Sequence, residues 1–301
     1  MRSAEKTYPV VCFGEILWDV LPGNIVPGGA PMNVAYHLKK LGIQPALITR
    51  VGLDNYGKKL IQLMEKQGIS TDYFQMDFEL DTGKVTMTTG EDEHIHYDIV
   101  QQVAWDNIQW DDQFESLLSS SAFFVFGSLS TRSEASRQVL YRLLEVAKFK
   151  VLDINLRPPH YSRAILERLM RGVGVLKLNL EELELLTGWF SGYKTEADRI
   201  EALQDQFHIP TIVVTKGSRG AVMLIDGVFY EHPGFRVDMA DTVGSGDAFL
   251  AGLIFKISQG TSPPEAIQFA SAMGALIATY SGPCPEYKIE EVKKIIEMEH
   301  E

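Results

Sequence analysis

The chain has 301 residues, 45% hydrophobic and 23% charged, which suits one large α/β domain better than several small ones. A net charge of −12 argues against nucleic acid or an anionic membrane as partner, since both need clustered cations, but leaves small anionic ligands open. Cys12 and Cys284 lack metal-type spacing, and there is neither a secretory leader nor an apolar run near the roughly 20 residues of a membrane span, so a reduced, cytoplasmic protein is predicted.

Residues 8–13 read as a buried strand, ended by Gly14 and Glu15. Residues 14–23, GEILWDVLPG, carry Asp19, whose carboxylate is either a solvated strand-end charge or an acceptor for a pair of neighbouring hydroxyls. In residues 27–42, PGGAPMNVAYHLKKLG, Gly28 and Gly29 permit close backbone approach. Asn33 then offers a donor and an acceptor at the start of a helix over 33–41, stopped by Gly42. A strand over 46–51 and a helix over 56–67 follow.

Residues 84–89 and 94–100 alternate polar with apolar around the turn 90–93, as expected of a sheet exposed on one face. We read residues about 15–27 and 83–103 as a small β-lid on one domain spanning 1–301. His94 and His96 share one side of a strand but lack a third ligand, so exposed lid polarity is the expectation. Trp105 and Trp110 are expected to pack beneath the lid.

Strands over 122–126, 151–154, 175–178 and 211–215, with helices between them, imply a mostly parallel sheet covered on both faces. Residues 153–161, DINLRPPHY, follow a strand end, where open α/β sheets hold ligands. Asn179 and Glu182 in residues 177–183, KLNLEEL, are three apart at a helix start and can share a face. Residues 214–220, VTKGSRG, form another strand-to-loop turn.

Residues 241–249, DTVGSGDAF, set two carboxylates around a Gly-Ser-Gly core and open a helix over 246–257. A glycine-rich helix start exposes unpaired amides and partial positive charge, and so makes an anion site. Asp241 or Thr242 could cap this turn while Asp247 complements the helix dipole. Alternatively the amides face a transferring phosphoryl group, and Asp247 accepts the proton of an attacking hydroxyl. No P-loop occurs in the chain, and Phe249 stands where a dinucleotide fingerprint requires glycine. A helix over 264–280 and a charged C-terminal helix complete the chain.

DTVGSGDAF resembles the C-terminal signature of the ribokinase-like (PfkB) carbohydrate kinases, departing from it only at Ser245, where alanine is usual. The GGAPMN string resembles the fructokinase branch in particular, and DINLR is similar to the D-x-N-x-R segment of keto-sugar kinases. The resemblance implies a three-layer αβα sandwich with a β-lid, and ATP-dependent phosphorylation of a primary hydroxyl, D-fructose to D-fructose 6-phosphate first among the candidates. It makes Asp247 the base, and Gly244, Ser245 and Gly246 the anion hole. Asp19, Gly28, Gly29, Asn33, Asn155 and Arg157 would bind sugar, and Lys177, Asn179, Thr215, Gly217 and Gly220 would bind ATP. Glu182 would hold Mg2+ through water, and Asp241 is the candidate ligand of a monovalent cation, K+. Family members commonly form lid-to-lid homodimers. The alternatives are a kinase for 2-keto-3-deoxygluconate, ribose or a nucleoside, and a non-catalytic sugar-binding regulator on the same fold.

Overall fold

Val10–Phe13 (β1) is apolar and wholly buried at every position, as a strand covered on both faces requires. The computed structural model describes residues 7–21, 24–89, 95–190, 192 and 195–297. After β1 the chain leaves the main sheet as Leu17–Leu21 (β2) and Asn24–Gly28 (β3), then returns through Ala30–Lys40 (α1). Pro at the second position of α1 costs no hydrogen bond, so this helix begins three residues before the predicted start. Pro45–Gly52 (β4), Asn55–Lys66 (α2) and Phe74–Asp77 (β5) follow. Gly83–Thr89 (β6) and Ile95–Ile99 (β7) leave the main sheet again.

The rest of the chain alternates: Gln113–Ser120 (α3), Phe123–Gly127 (β8), Glu134–Val146 (α4), Lys150–Asp153 (β9), Arg163–Leu169 (α5) and Val175–Asn179 (β10). Leu180–Thr187 (α6), Glu196–Phe207 (α7) and Thr211–Thr215 (β11) continue it. Ala221–Ile225 (β12) and Val228–His232 (β13) form an antiparallel edge, and Ser245–Ser258 (α8), Pro263–Ala278 (α9) and Ile289–Glu297 (α10) close the fold.

Among the described residues the main sheet has nine strands in the order β13-β12-β11-β10-β9-β8-β1-β4-β5. All its pairings are parallel except those of β12. Alternate residues of each central strand feed opposite cores. Val10, Cys12, Val151 and Val175 pack with α1, α8, α9 and α10, while Val11, Phe13, Leu152 and Leu176 pack with α3 to α7. This is the expected three-layer sandwich. The strands β5 and β13 escaped the sequence reading because they are short edge strands, half-buried and interrupted by polar residues, whereas β12 is a buried apolar strand that the sequence reading did not mark.

The second sheet runs β3-β2-β6-β7, with β2 and β6 parallel and the outer pairs antiparallel. Gly83 on β6 leaves room for the Trp105 indole, which is fully buried, so Trp105 does pack beneath this sheet. Trp110 does not: it stacks edge-on against Phe114 of α3 and under the Arg142 guanidinium of α4. The turn 90–93 and His94 lie outside the described residues, as does the His96 side chain. No helix among the described residues is long and apolar enough to cross a membrane.

Candidate active site

The strand order reverses at β1, where β4 lies on one side and β8 on the other, and open α/β sheets form their ligand crevice beyond the strand ends at such a point. The register of β9 with β10 sets Asp153 opposite Lys177. Both follow Val151 and Val175 by two residues, so both side chains point to the face covered by α1 and α8. Lys177 Nζ donates to Asp153 Oδ2 at 2.7 Å, and both groups are buried. Burial, the largest single influence, depresses the ammonium pKa, but Asp153, Asp247 and Glu182 together outweigh it and the net shift is upward. The ammonium lies 3.0 Å from where a Cβ on Gly246 would stand, directly against the first turn of α8.

That turn is capped by neither Asp241 nor Thr242. The N-cap of α8 is Gly244, in a left-handed conformation with φ +79°, and it makes no side-chain cap bond. A Cβ there would lie 2.5 Å from Cβ of Pro283. Asp241 instead ties two segments together: Oδ1 accepts the Val243 amide and Oδ2 the Gly282 amide, each at 3.1 Å. The Ser245 amide turns back to the Thr242 carbonyl in a long 3.3 Å bond. The Gly244 and Gly246 amides have no protein acceptor among the described residues, which leaves them as the anion donors of the turn. The Ser245 hydroxyl is buried without a partner.

Asp247 sits in the first turn of α8, nearly buried, and its Oδ2 accepts Asn33 Nδ2 at 2.8 Å. Burial and then the Asp153 charge push its carboxyl up to about 6, against the pull of Lys177, Asn33 and Arg157. That value suits a general base working near neutrality. Residues 33 and 247 meet because α1 and α8 pack side by side on one face of the sheet.

The remaining candidates gather around this pair. Asp19 is half-buried on β2, its pKa raised by burial and held back by Arg157. A Cβ on Gly28 would collide with Asp19 Oδ2, and one on Gly29, where φ is +112°, with the Glu15 carbonyl. Arg157 is exposed and close enough to lower the pKa values of Glu15, Asp19 and Asp247. Asn155 holds φ +40°, a sparsely populated conformation that concentrates at functional sites.

Among the residues expected to hold a nucleotide, the β10–β11 register places Asn179 beside Thr215 at the strand ends. Gly217 (φ +59°) and Gly220 (φ +79°) make the turn after β11, and a Cβ on Gly220 would strike the His232 carbonyl. Lys216 is paired with Glu196 at 3.1 Å. Asn179 and Glu182 form a capping box at the start of α6: Asn179 Oδ1 accepts the Glu182 amide, and Glu182 Oε2 the Asn179 amide, each at 2.8 Å. Glu182 Oε1 takes the Leu156 amide at 2.7 Å and so anchors the loop after β9. A cleft of about 670 Å3 lined by Gln101, Arg132 and His160 opens elsewhere, and no member of the Asp247 cluster lines it.

The pfkB family carbohydrate kinase model matches residues 12–289, nearly all of the residues just described. The chain belongs to this family. Fructokinase-1 of Oryza sativa subsp. japonica is 29% identical over 98% of this chain and 99% of its own. The structure of a fructokinase from Vibrio cholerae O395 with fructose, ADP and calcium ion superposes with a TM-score of 0.81 at 25% identity, covering 96% of this chain and 99% of that one. A putative ribokinase II from E. coli in complex with ATP and Mg2+ shares the fold at a TM-score of 0.83 and 21% identity, covering 97% of this chain and 99% of that one.

Within this pfkB-family fold, three residues at the site were given no site role by the sequence reading. Asp153 is the first letter of DINLR, and only its register with Lys177 reveals its place. Glu15 is buried beside Asp247 and Arg157, with Oε2 unpartnered, and burial above all pushes its carboxyl up to about 7. Its visible signal was a charged residue directly after a buried strand. Cys284, from the segment before α10, reaches Asn33 and carried no local signal.

Proposed function

We propose that the protein transfers the γ-phosphoryl group of ATP to a primary hydroxyl of D-fructose, forming D-fructose 6-phosphate. The observation that carries this reading is Asp247: a buried carboxylate, oriented by Asn33, in the same helical turn as the free amides of Gly244 and Gly246. On this reading Asp247 takes the proton of the attacking hydroxyl. The two amides and the positive end of α8 stabilise the charge on the transferring group. Lys177 adds a cation beneath the turn, already neutralised in part by Asp153. Asp19, Asn33, Asn155 and Arg157 would hold the sugar, with Gly28 and Gly29 allowing it close to the backbone. Asn179, Thr215, Gly217 and Gly220 would border the nucleotide.

Among the described residues no three His, Cys, Asp or Glu side chains cluster as a metal cage. That fits Mg2+ carried mainly by nucleotide oxygens and waters, with Glu182 and Asn179 as its water-mediated neighbours. Mg2+ bound there would supply neutralisation of the phosphate charge. Asp241 accepts one amide on each carboxylate oxygen, which fixes the turn and, as at Glu182, still leaves a lone pair on each oxygen for an ion such as K+.

Fructose as the acceptor is supported by the names of the rice and Vibrio relatives. The deciding experiment measures ADP release from ATP and Mg2+ with fructose, ribose, 2-keto-3-deoxygluconate and nucleosides, beside Asp247→Asn. Turnover with fructose above the others is expected. Binding of a sugar without turnover by the wild-type protein would sink the kinase reading, and preference for another sugar would move the acceptor.

A further inference from the structure

Besides the exposed Lys40–Glu286 pair at 2.8 Å, four hydrogen bonds tie the segment before α10 to α1. Cys284 Sγ donates to Asn33 Oδ1 at 3.3 Å, a bond across 251 residues of sequence. Tyr36 Oη donates to the Pro285 carbonyl at 2.7 Å. His37 Nε2 meets the Pro283 carbonyl at 2.9 Å, and its Nδ1 meets Tyr287 Oη at 3.1 Å. On its other side the segment abuts the catalytic turn, where Pro283 faces Gly244 and Gly282 binds Asp241. Residues 282–287 therefore strap α1 to the start of α8.

An asparagine amide has two ends of opposite character, and only one orientation serves here. With Oδ1 toward Cys284, Nδ2 donates to Asp247 Oδ2 at 2.8 Å. Reversed, the amide oxygen would face the carboxylate, and the thiol would face an NH2 group that accepts nothing. Burial and the neighbouring Asp247 charge raise the Cys284 pKa well above its ordinary value, so the sulfur remains a donor. Asn33 is buried, with little freedom to find another partner.

We propose that Cys284 is a positioning residue of the kinase reaction: its thiol fixes the Asn33 amide so that Nδ2 faces Asp247, holding the base ionised and aimed. The inference rests on the proposed role of Asp247 as base, and it adds a part of the chain that lies outside every motif of the sequence reading.

The test compares Cys284→Ala, which removes the donor, with Cys284→Ser, which keeps one. The first readout needs no turnover: the Asp247 carboxyl is titrated by 13C NMR in the wild type and in both variants. Losing a hydrogen bond to a charged group should raise the Asp247 pKa by about half a unit or more in Cys284→Ala, with Cys284→Ser nearer the wild type. The second readout is kcat/KM for the best acceptor, expected to fall roughly tenfold in Cys284→Ala with the acid limb moved to higher pH, and to be partly restored in Cys284→Ser. In an Asn33→Ala background, Cys284→Ala should have no further effect on the Asp247 titration. A merely structural strap would lower stability in both variants and leave the titration in place, and that result overturns the proposal. A wild-type protein without kinase activity would instead count against the function, while the NMR titration would still decide the Cys284–Asn33–Asp247 relay.

Discussion

The Lys177 ammonium is pinned between Asp153 Oδ2, 2.7 Å away, and the backbone of Gly246, whose missing Cβ would stand 3.0 Å from it. A buried ion pair therefore serves as the floor of the glycine-rich turn that opens α8. Breaking such a pair from one side leaves an uncompensated buried charge. Lys177→Met should destabilise the protein by about 3–5 kcal/mol, and Lys177→Met/Asp153→Leu by clearly less, because the second change removes the stranded carboxylate. Urea denaturation of the two variants checks this, and equal losses would refute it.

Burial and the Asp153 charge push the Asp247 carboxyl up to about 6, so if Asp247 is the base, as proposed, it is protonated below that pH in the free enzyme and competent above it. The logarithm of kcat/KM should rise as pH increases through about 6. Asp247→Asn should lower kcat by roughly 10^2–10^4-fold and lose that limb, while sugar binding measured by calorimetry persists. A pH profile unchanged by the substitution would remove Asp247 from the role of base.

Gly244 combines φ +79° with a Pro283 contact that any Cβ would violate. Gly244→Ala should cost roughly 2–4 kcal/mol from backbone conformation and overlap together. The strap must shift to admit the methyl group, so activity should fall beyond what the stability loss explains. Denaturant melts alongside kinetics of the folded fraction would measure both.

Glu15 is buried with one oxygen unpartnered, and its pKa is raised from 4.5 to about 7. A raised carboxyl pKa gives stability that is complete below the unfolded value and is lost as pH rises through the folded value. The wild type should therefore lose on the order of 3 kcal/mol from this group between about pH 4.5 and 7.5. Glu15→Gln should escape that loss, so the variant gains on the wild type as pH increases. Parallel stability curves for the two proteins would show that Glu15 is not a buried titrating acid.

Much of the fold was legible because β1, β4 and the strands from β8 to β11 are short apolar runs between helical periodicities, a pattern that only a covered parallel sheet accommodates. The edge strands were not legible, since half-buried polar strands carry little periodic signal. At the site, Asp247, Asn33, Asp19 and Arg157 stood in strings specific enough to be picked out one by one. Glu182 was read for its spacing, and the structure reveals that its carboxylate also accepts two backbone amides.

The sequence by itself determined the order of elements, the glycine-rich start of α8 and the presence of a carboxylate in its first turn, because these depend on local propensity and spacing. The tertiary structure alone decided which groups face one another. Asp153 meets Lys177 through strand register, Asn33 meets Asp247 across 214 residues, and Cys284 meets Asn33 across 251. Such pairings are properties of helices packed on a common sheet face, and their charges shift one another only once burial has removed water from between them.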